Sequence, residues 1–463
     1  MALDLRSILY NLPEVKRPLE KRLSFNSKLK WTLIILGAFF ILANISLYGL
    51  AANSLERFEF IAIILGTDFG SIISLGIGPI VMSSIILQLL VGSGILNIDT
   101  KSPEGKRYFQ GLQKIGVIFF IIFEAMVYVL MGGLQAAPGF TGIVIFQLIL
   151  GGFAILFMDE VVQKYGFGSG VSLFIVAGVA WRLFTALFQF MGIQGENCLL
   201  NFSNTPCAGN LLIIIQSIIN GAPREALSSI IAIAVTIVIF LGVVWAQSLK
   251  IEVPLTYERV RGYSVKWPLA FFYASVIPVI LVSALIANLQ LFGSLLESWL
   301  GHPTFLGSFS EGQAVSGVAY WLGSSNIPEL LIRGGLTTSH IFQGISHLLF
   351  FMIFAAIFSV FWVKTSGMDE SSQAKNILSS GLQLPGFRKD PRVLESILKR
   401  YILPLTIMGG LAIGFLAAIA DSLGALTSGT AILLAVMIMY QLYQSIAQQH
   451  AVDMHPALRK IIE

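Results

Sequence analysis

Apolar residues fall along the chain in ten long blocks, at 31–50, 72–91, 115–131, 143–158, 171–191, 230–246, 269–289, 341–363, 401–420 and 430–443. About 20 consecutive apolar residues span the hydrocarbon core as helix, and a helix pairs its backbone polar groups internally. The pattern therefore predicts an all-α integral membrane protein with ten transmembrane helices. The first block is too long for a signal peptide and lacks a small-residue cleavage site after it.

The second crossing is irregular. Residues 53–70 are moderately apolar but carry Glu56, Arg57, Glu59 and Asp68, too short and too charged to cross. Then Ser74-Leu-Gly-Ile-Gly-Pro79 places two glycines and a proline at the start of a helix. This predicts a short re-entrant helix followed by a full helix that starts part-way through the membrane. Such backbone is tolerated at depth only where protein or a water-filled cavity surrounds it.

Composition agrees with the pattern. Of 463 residues, 56% are hydrophobic and 12% charged, with a mean hydropathy of +0.81, whereas soluble domains carry roughly 25% charged residues. Charge then orients the chain. With both ends on the cytoplasmic side, only Arg57, Arg182, Arg224 and Arg333 of the 29 Lys and Arg fall outside cytoplasmic segments, the bias expected of short inner loops. The net charge of +4 reports orientation first.

Residues 1–30 read as a cytoplasmic amphipathic segment, 31–229 as an N-terminal half, 230–447 as a C-terminal half and 448–463 as a cytoplasmic tail. The longest loops are 192–229 and 290–339 outside and 364–400 inside. An apolar run at 211–219 is too short to cross and reads as interfacial. The inner stretch 253–267 reads as a small protruding hairpin. Ten spans divide as five plus five, and an inverted repeat is a common way to build a path between two halves.

Five ordered strings resemble SecY, the large subunit of the Sec protein-conducting channel, in its archaeal and eukaryotic form. They are Leu75-Gly-Ile-Gly-Pro-Ile80, Gln88-Leu-Leu-Val-Gly-Ser-Gly94, Lys164-Tyr-Gly-Phe-Gly-Ser-Gly-Val171, Ile277-Pro-Val-Ile280 with Ala287-Asn-Leu-Gln290, and Gly386-Phe-Arg388. The resemblance runs from Leu12-Pro-Glu-Val15 to His455-Pro-Ala457.

It implies two pseudo-symmetric five-helix halves around an hourglass pore, with a re-entrant plug helix at about 53–67 that includes Asn53, Glu56, Arg57, Phe58, Ile61 and Ile64. It also implies a pore ring of Ile77, Val81, Val171, Ile175, Ile280 and Leu434. Branched apolar rings gate by dewetting, although aliphatic residues in spans usually face lipid or other helices. A lateral gate maps to Glu124 and Asn288, with Met82 where a hydroxyl residue is common and Ser83 as a substitute. Glu124 also stands out without the resemblance, because an acid in mid-span costs roughly +2.5 to +3.5 kcal/mol on insertion scales.

Arg259, Arg261, Arg388 and Lys389 match loops that dock on ribosomal RNA phosphate, while inner basic residues are also required by topology alone. The implied partners are a SecE/gamma subunit, a small beta subunit, the ribosome, signal sequences and nascent polypeptides. The implied location is the cell membrane, or the endoplasmic reticulum in a eukaryote.

Cys198 and Cys207 share one outer loop and are read either as a disulfide or as two thiols. Arg182 and Asp421, near the outer ends of spans five and nine, read as side chains that snorkel to the interface. No HExxH pair, P-loop or GxSxG elbow occurs, so neither an enzyme nor a cofactor or metal site is expected. A secondary transporter of a small solute is the rival class, since ten spans, a broken helix and an intramembrane Glu suit it. The matched aliphatic positions suit a seal better.

Overall fold

The computed structural model describes residues 12–20, 23–51, 70–92, 94–98, 102–131, 133–190, 198, 207–257, 264–274, 276–310, 313–379, 382–383 and 390–454. The plug candidate lies outside these, as do Arg259, Arg261, Arg388 and Lys389.

Ten helices follow one another up and down the bundle: α1 (Phe25–Ala43), α2 (Gly78–Gly92), α3 (Pro103–Leu130), α4 (Thr141–Tyr165) and α5 (Gly170–Phe188), then, after the short α6 (Asn210–Ile219), α7 (Pro223–Ser248) and α8 (Ile277–Leu300). Beyond the small elements β3 (Ser308–Ser310), β4 (Gln313–Ser316), α9 (Gly317–Leu322) and α10 (Ile327–Arg333), the series closes with α11 (Thr338–Thr365), α13 (Pro391–Ser422) and α14 (Gly429–Met454). Between α11 and α13 lies the short α12 (Glu370–Ser379).

Among the described residues, nine of these helices are long and apolar enough to cross a bilayer. The tenth, α2, has 15 residues. It therefore rises only about 22 Å, short of a hydrocarbon core of about 30 Å. The turn at 70–77 makes up the difference, with Ile73, Ser74 and Leu75 at or below 1% exposure. The irregular backbone at depth is thus surrounded by protein, as its polar groups require. Helix ends overrun the apolar blocks, because polar turns extend helices past the hydrocarbon. Ser102 caps α3 with Pro103 at its first turn, and Asp390 caps α13 with Pro391, two strong start signals.

The predicted inner hairpin is β1 (Lys250–Tyr257) against β2 (Ser264–Ala270), with Val253 opposite Trp267. A third short strand, β5 (Leu382–Gln383), joins β1. We call this side the hairpin end. Beside it, Tyr273 donates its hydroxyl to the Met368 carbonyl at 2.7 Å, and burial pushes the phenol above its ordinary range, helped by Asp369 and Glu370.

The N-terminal segment is strapped across α4. Val15 N–H donates to Glu160 at 2.9 Å, the Val15 carbonyl accepts from Lys164, and Glu14 pairs with Lys164. The hydrogen bond from Lys164 holds the Glu14 carboxyl below its usual range.

At the opposite end Cys198 and Cys207 are joined, with their Cα atoms 5.3 Å apart. The short run predicted to be interfacial is α6, which exposes Leu211, Ile215, Ile218 and Ile219 while burying Gln216 and Ser217. Gln216 accepts the Cys207 N–H at 3.1 Å, so its polar face is tied to the disulfide loop and its apolar face is left outward.

The most extensive helix pairing is α11 with α13. A Cβ at Gly410 would stand 2.8 Å from the Ala356 Cα, and one at Gly414 would stand 2.7 Å from the Phe351 carbonyl. Small residues are what permit such backbone approach between membrane helices. By contrast α7 turns Ile237, Val238, Leu241 and Trp245 outward, whereas α8 is buried along most of its length. Hence α8 occupies the middle of the bundle.

Candidate functional site

Two cavities lie along the axis beside α8. The one toward the disulfide end has a volume of about 70 Å³ and is lined by Ile77, Val81, Ile175, Ile280 and Leu434 among others. The one toward the hairpin end is about 860 Å³ and takes in Val81, Val171 and Ile280. Val81 and Ile280 are common to both, so the path is pinched between them. The smaller space has room for about two waters, far too little for a polypeptide. All six ring candidates therefore line this path. Val171 stands on its wide side, and Ile77, Ile175 and Leu434 on its narrow side.

Each ring position is fixed by its local backbone. Ile77 and Val81 are set by the turn into α2, where the Val81 N–H bonds the Ile77 carbonyl at 3.0 Å. Asp159, in α4, is buried and accepts the Val171 N–H at 3.0 Å and the Gln163 amide at 2.8 Å. A Cβ at Gly170 would stand 2.6 Å from the Asp159 Cα, so glycine allows α4 and α5 to meet this closely.

At the other end of the bundle Asp421 of α13 does the same for α14. It accepts the Thr430 N–H at 2.7 Å and also the Thr430 hydroxyl. Here a Cβ at Gly429 would stand 2.0 Å from the Ala420 carbonyl carbon.

The gate candidates do not bond to one another. Ser83 donates to the Gln113 carbonyl at 2.8 Å and Asn288 to the Ala284 carbonyl at 2.8 Å. Gln113 in turn donates to Ser84 at 2.7 Å. Ser83 therefore belongs to an α2–α3 stitch, about three turns of α3 away from Glu124, and no three-way cluster with Ser83 forms. The reason is its place on α2, which points it at Gly116, where a Cβ would stand 2.3 Å from its hydroxyl oxygen.

Glu124 is 1% exposed, and its Oε1 has no hydrogen-bond partner among the described residues. Beside it the α3–α8 seam is held by rings, with Phe123 and Phe292 centroids 6.4 Å apart.

The snorkelling expectation for Asp421 is corrected by these contacts. The side chain is only 10% exposed and turns inward onto Thr430 and His347. Asp159, Gln113 and His347 were not singled out from sequence. The signal that marks the two aspartates is an acid near the end of one span with a glycine opening the next, and it is visible only once the pairing of those helices is known.

The fold defines a class: a polytopic helical membrane channel, with two five-helix halves around a central path. Residues 71–443 match the SecY family, and the chain belongs to it. The protein translocase subunit SecY of Methanothermobacter thermautotrophicus is 42% identical over 456 residues, covering 97% of this chain and 96% of the relative. A solved protein-conducting channel superposes with a TM-score of 0.83 at 38% identity, covering 98% of this chain and 99% of that one. Sec61 in the canine ribosome–channel complex from the endoplasmic reticulum superposes at 0.80 with 36% identity, again covering 98% and 99%. These relatives do not favour a small-solute transporter.

Proposed function

We propose that this chain is the central pore-forming subunit of the Sec protein translocation channel. It passes unfolded polypeptides across the membrane and releases hydrophobic segments sideways into lipid. The observation that carries this reading is the axial path pinched at Val81 and Ile280 between two cavities. A ring made of Ile77, Val81, Val171, Ile175, Ile280 and Leu434 holds ions back by dewetting, yet flexible aliphatic side chains yield around a passing peptide.

The sideways exit runs along the seam of α2 and α3 with α8 and α11. An unsatisfied buried carboxyl group at Glu124 supports a role there, since such a group is costly unless a second state satisfies it. Segment 53–67 is the plug in this reading. The halves are 31–229 and 230–447, followed by a tail at 448–463. The hairpin end faces the cytoplasm of the cell membrane, where the Lys and Arg bias places it, and both termini lie on that side. Arg259, Arg261, Arg388 and Lys389 dock on ribosomal RNA phosphates, a reading supported by the ribosome-bound Sec61 relative. A SecE/gamma subunit and a small beta subunit complete the assembly.

Site-specific cross-linking of a stalled nascent chain to a probe at Ile280 tests the whole reading. Adducts that depend on the nascent chain are expected. Their absence in an intact, inserted complex would overturn it.

A further inference from the structure

The cavity on the disulfide side of the pinch contains two titratable side chains, His347 of α11 and Asp421 of α13. His347 is 3% exposed. Its Nδ1 lies 2.6 Å from the Leu322 carbonyl oxygen. A carbonyl only accepts, so Nδ1 carries the hydrogen. In the neutral ring Nε2 then presents a lone pair.

That atom is buried without a hydrogen-bond partner among the described residues, 3.5 Å from Asp421 Oδ2. With the ring neutral, two acceptors would face each other, an arrangement that costs free energy and that one proton satisfies. The Phe351 ring, 4.9 Å from the imidazole, limits its rotation. On its other side Asp421 holds the start of α14 through the Thr430 amide and hydroxyl. Leu434 follows four residues later on the same helix and lines the same cavity.

We propose that His347 and Asp421 form a proton-binding site that positions Leu434, so that pH on the disulfide face sets how firmly the axial ring is closed. The inference rests on the ring reading above. A proton from the aqueous side binds Nε2, which then donates to Asp421 Oδ2 and ties α11 to the turn between α13 and α14. Loss of that proton returns a lone pair to face a carboxylate, and the tie is released.

Among the described lining residues, the other elements bring polar but uncharged groups to the pair. Ser283 and Gln290 come from α8, Ser324 from beyond α9, and Ser428 and Thr430 from the start of α14. Asp421 is thus the charged group among the cavity's described lining residues that answers the imidazole.

The test is the resting ion conductance of the complete channel complex in planar bilayers, with pH changed on one face at a time. Orientation is set by protease cleavage at the β1–β2 hairpin. Lowering pH from about 8 to about 5.5 on the disulfide face is expected to reduce conductance by about fivefold. The same change on the hairpin face should leave it unaltered. H347Q keeps a donor but cannot titrate, and it should abolish the response, with D421N as a second variant that removes the carboxylate.

A wild-type complex without a response on the disulfide face, or with an equal response on both faces, overturns the proposal. So does a response retained in H347Q or D421N. L434G is the separate control, expected to raise conductance at every pH. If it leaves conductance at the wild-type level, the ring reading fails instead.

Discussion

Asp159 of α4 accepts the backbone N–H of Val171 at 3.0 Å, so the residue that stands on the wide side of the pinch is itself the residue being capped. In the other half, at the opposite end of the bundle, Asp421 of α13 caps Thr430 at the start of α14. Each half thus ends with a penultimate helix whose buried aspartate fixes the entry angle of the last helix. The two caps face opposite ends, as an inverted pair of halves requires.

Removing the first cap has a defined cost. D159A should destabilise the complex by about 1–2 kcal/mol, the usual worth of a helix N-cap. D159N retains an acceptor for Val171 and should lose less. Denaturant unfolding of the purified complex measures both, and an unshifted midpoint for D159A would count against the cap.

The seal should leak when two of its members are removed. I77G combined with I280G is expected to raise resting ion conductance in planar bilayers, because a ring lacking two of its six side chains is wide enough to wet. Conductance equal to that of the wild type would sink the seal.

Glu124 should govern which segments leave sideways. E124Q keeps the shape but supplies two donors where Oε1 now has no partner, and so it favours whichever state pairs it. The expectation is a changed ratio of export between strong and weak signal sequences. Equal selectivity in both proteins would remove Glu124 from the gate.

The N-terminal strap carries a pH dependence with a definite sign. Glu14 is held below its ordinary range by Lys164. Its contribution is therefore present above the usual glutamate value of about 4.3 and is lost as pH falls through the lower folded value. Glu14 is 58% exposed, so the effect is local and modest. Hydrogen exchange at the Val15 amide should quicken in that acid window, and E14Q should remove the step. A step that survives in E14Q would assign it to another group.

Docking on RNA phosphate predicts salt-dependent affinity. The double variant R261E and R388E should weaken ribosome binding by about tenfold or more at moderate salt, since phosphate contacts release counterions. Unchanged affinity would leave these arginines as topology signals alone.

The ten crossings could be read from the chain alone. Hydrocarbon thickness dictates block length, and every backbone amide must be paired inside it. The irregular start of the second crossing was equally legible, because two glycines and a proline interrupt a regular helix and set where the next one begins. The hairpin at Val253 and Trp267 was legible from its turn-rich polar stretch.

Tertiary structure decided which aliphatic residues face the axis. Ile280 and Leu434 do, whereas Ile237 and Leu241 face outward, though all four are chemically alike. Lipid is as apolar as a protein interior, so the hydrophobic pattern carries no inside-or-outside information here. For the same reason Asp421 reads as interfacial in one dimension and becomes a cap and a partner for His347 in three. What finally makes the second crossing a single path is the turn at 70–77, which the surrounding helices bury completely enough to hold irregular backbone in the membrane.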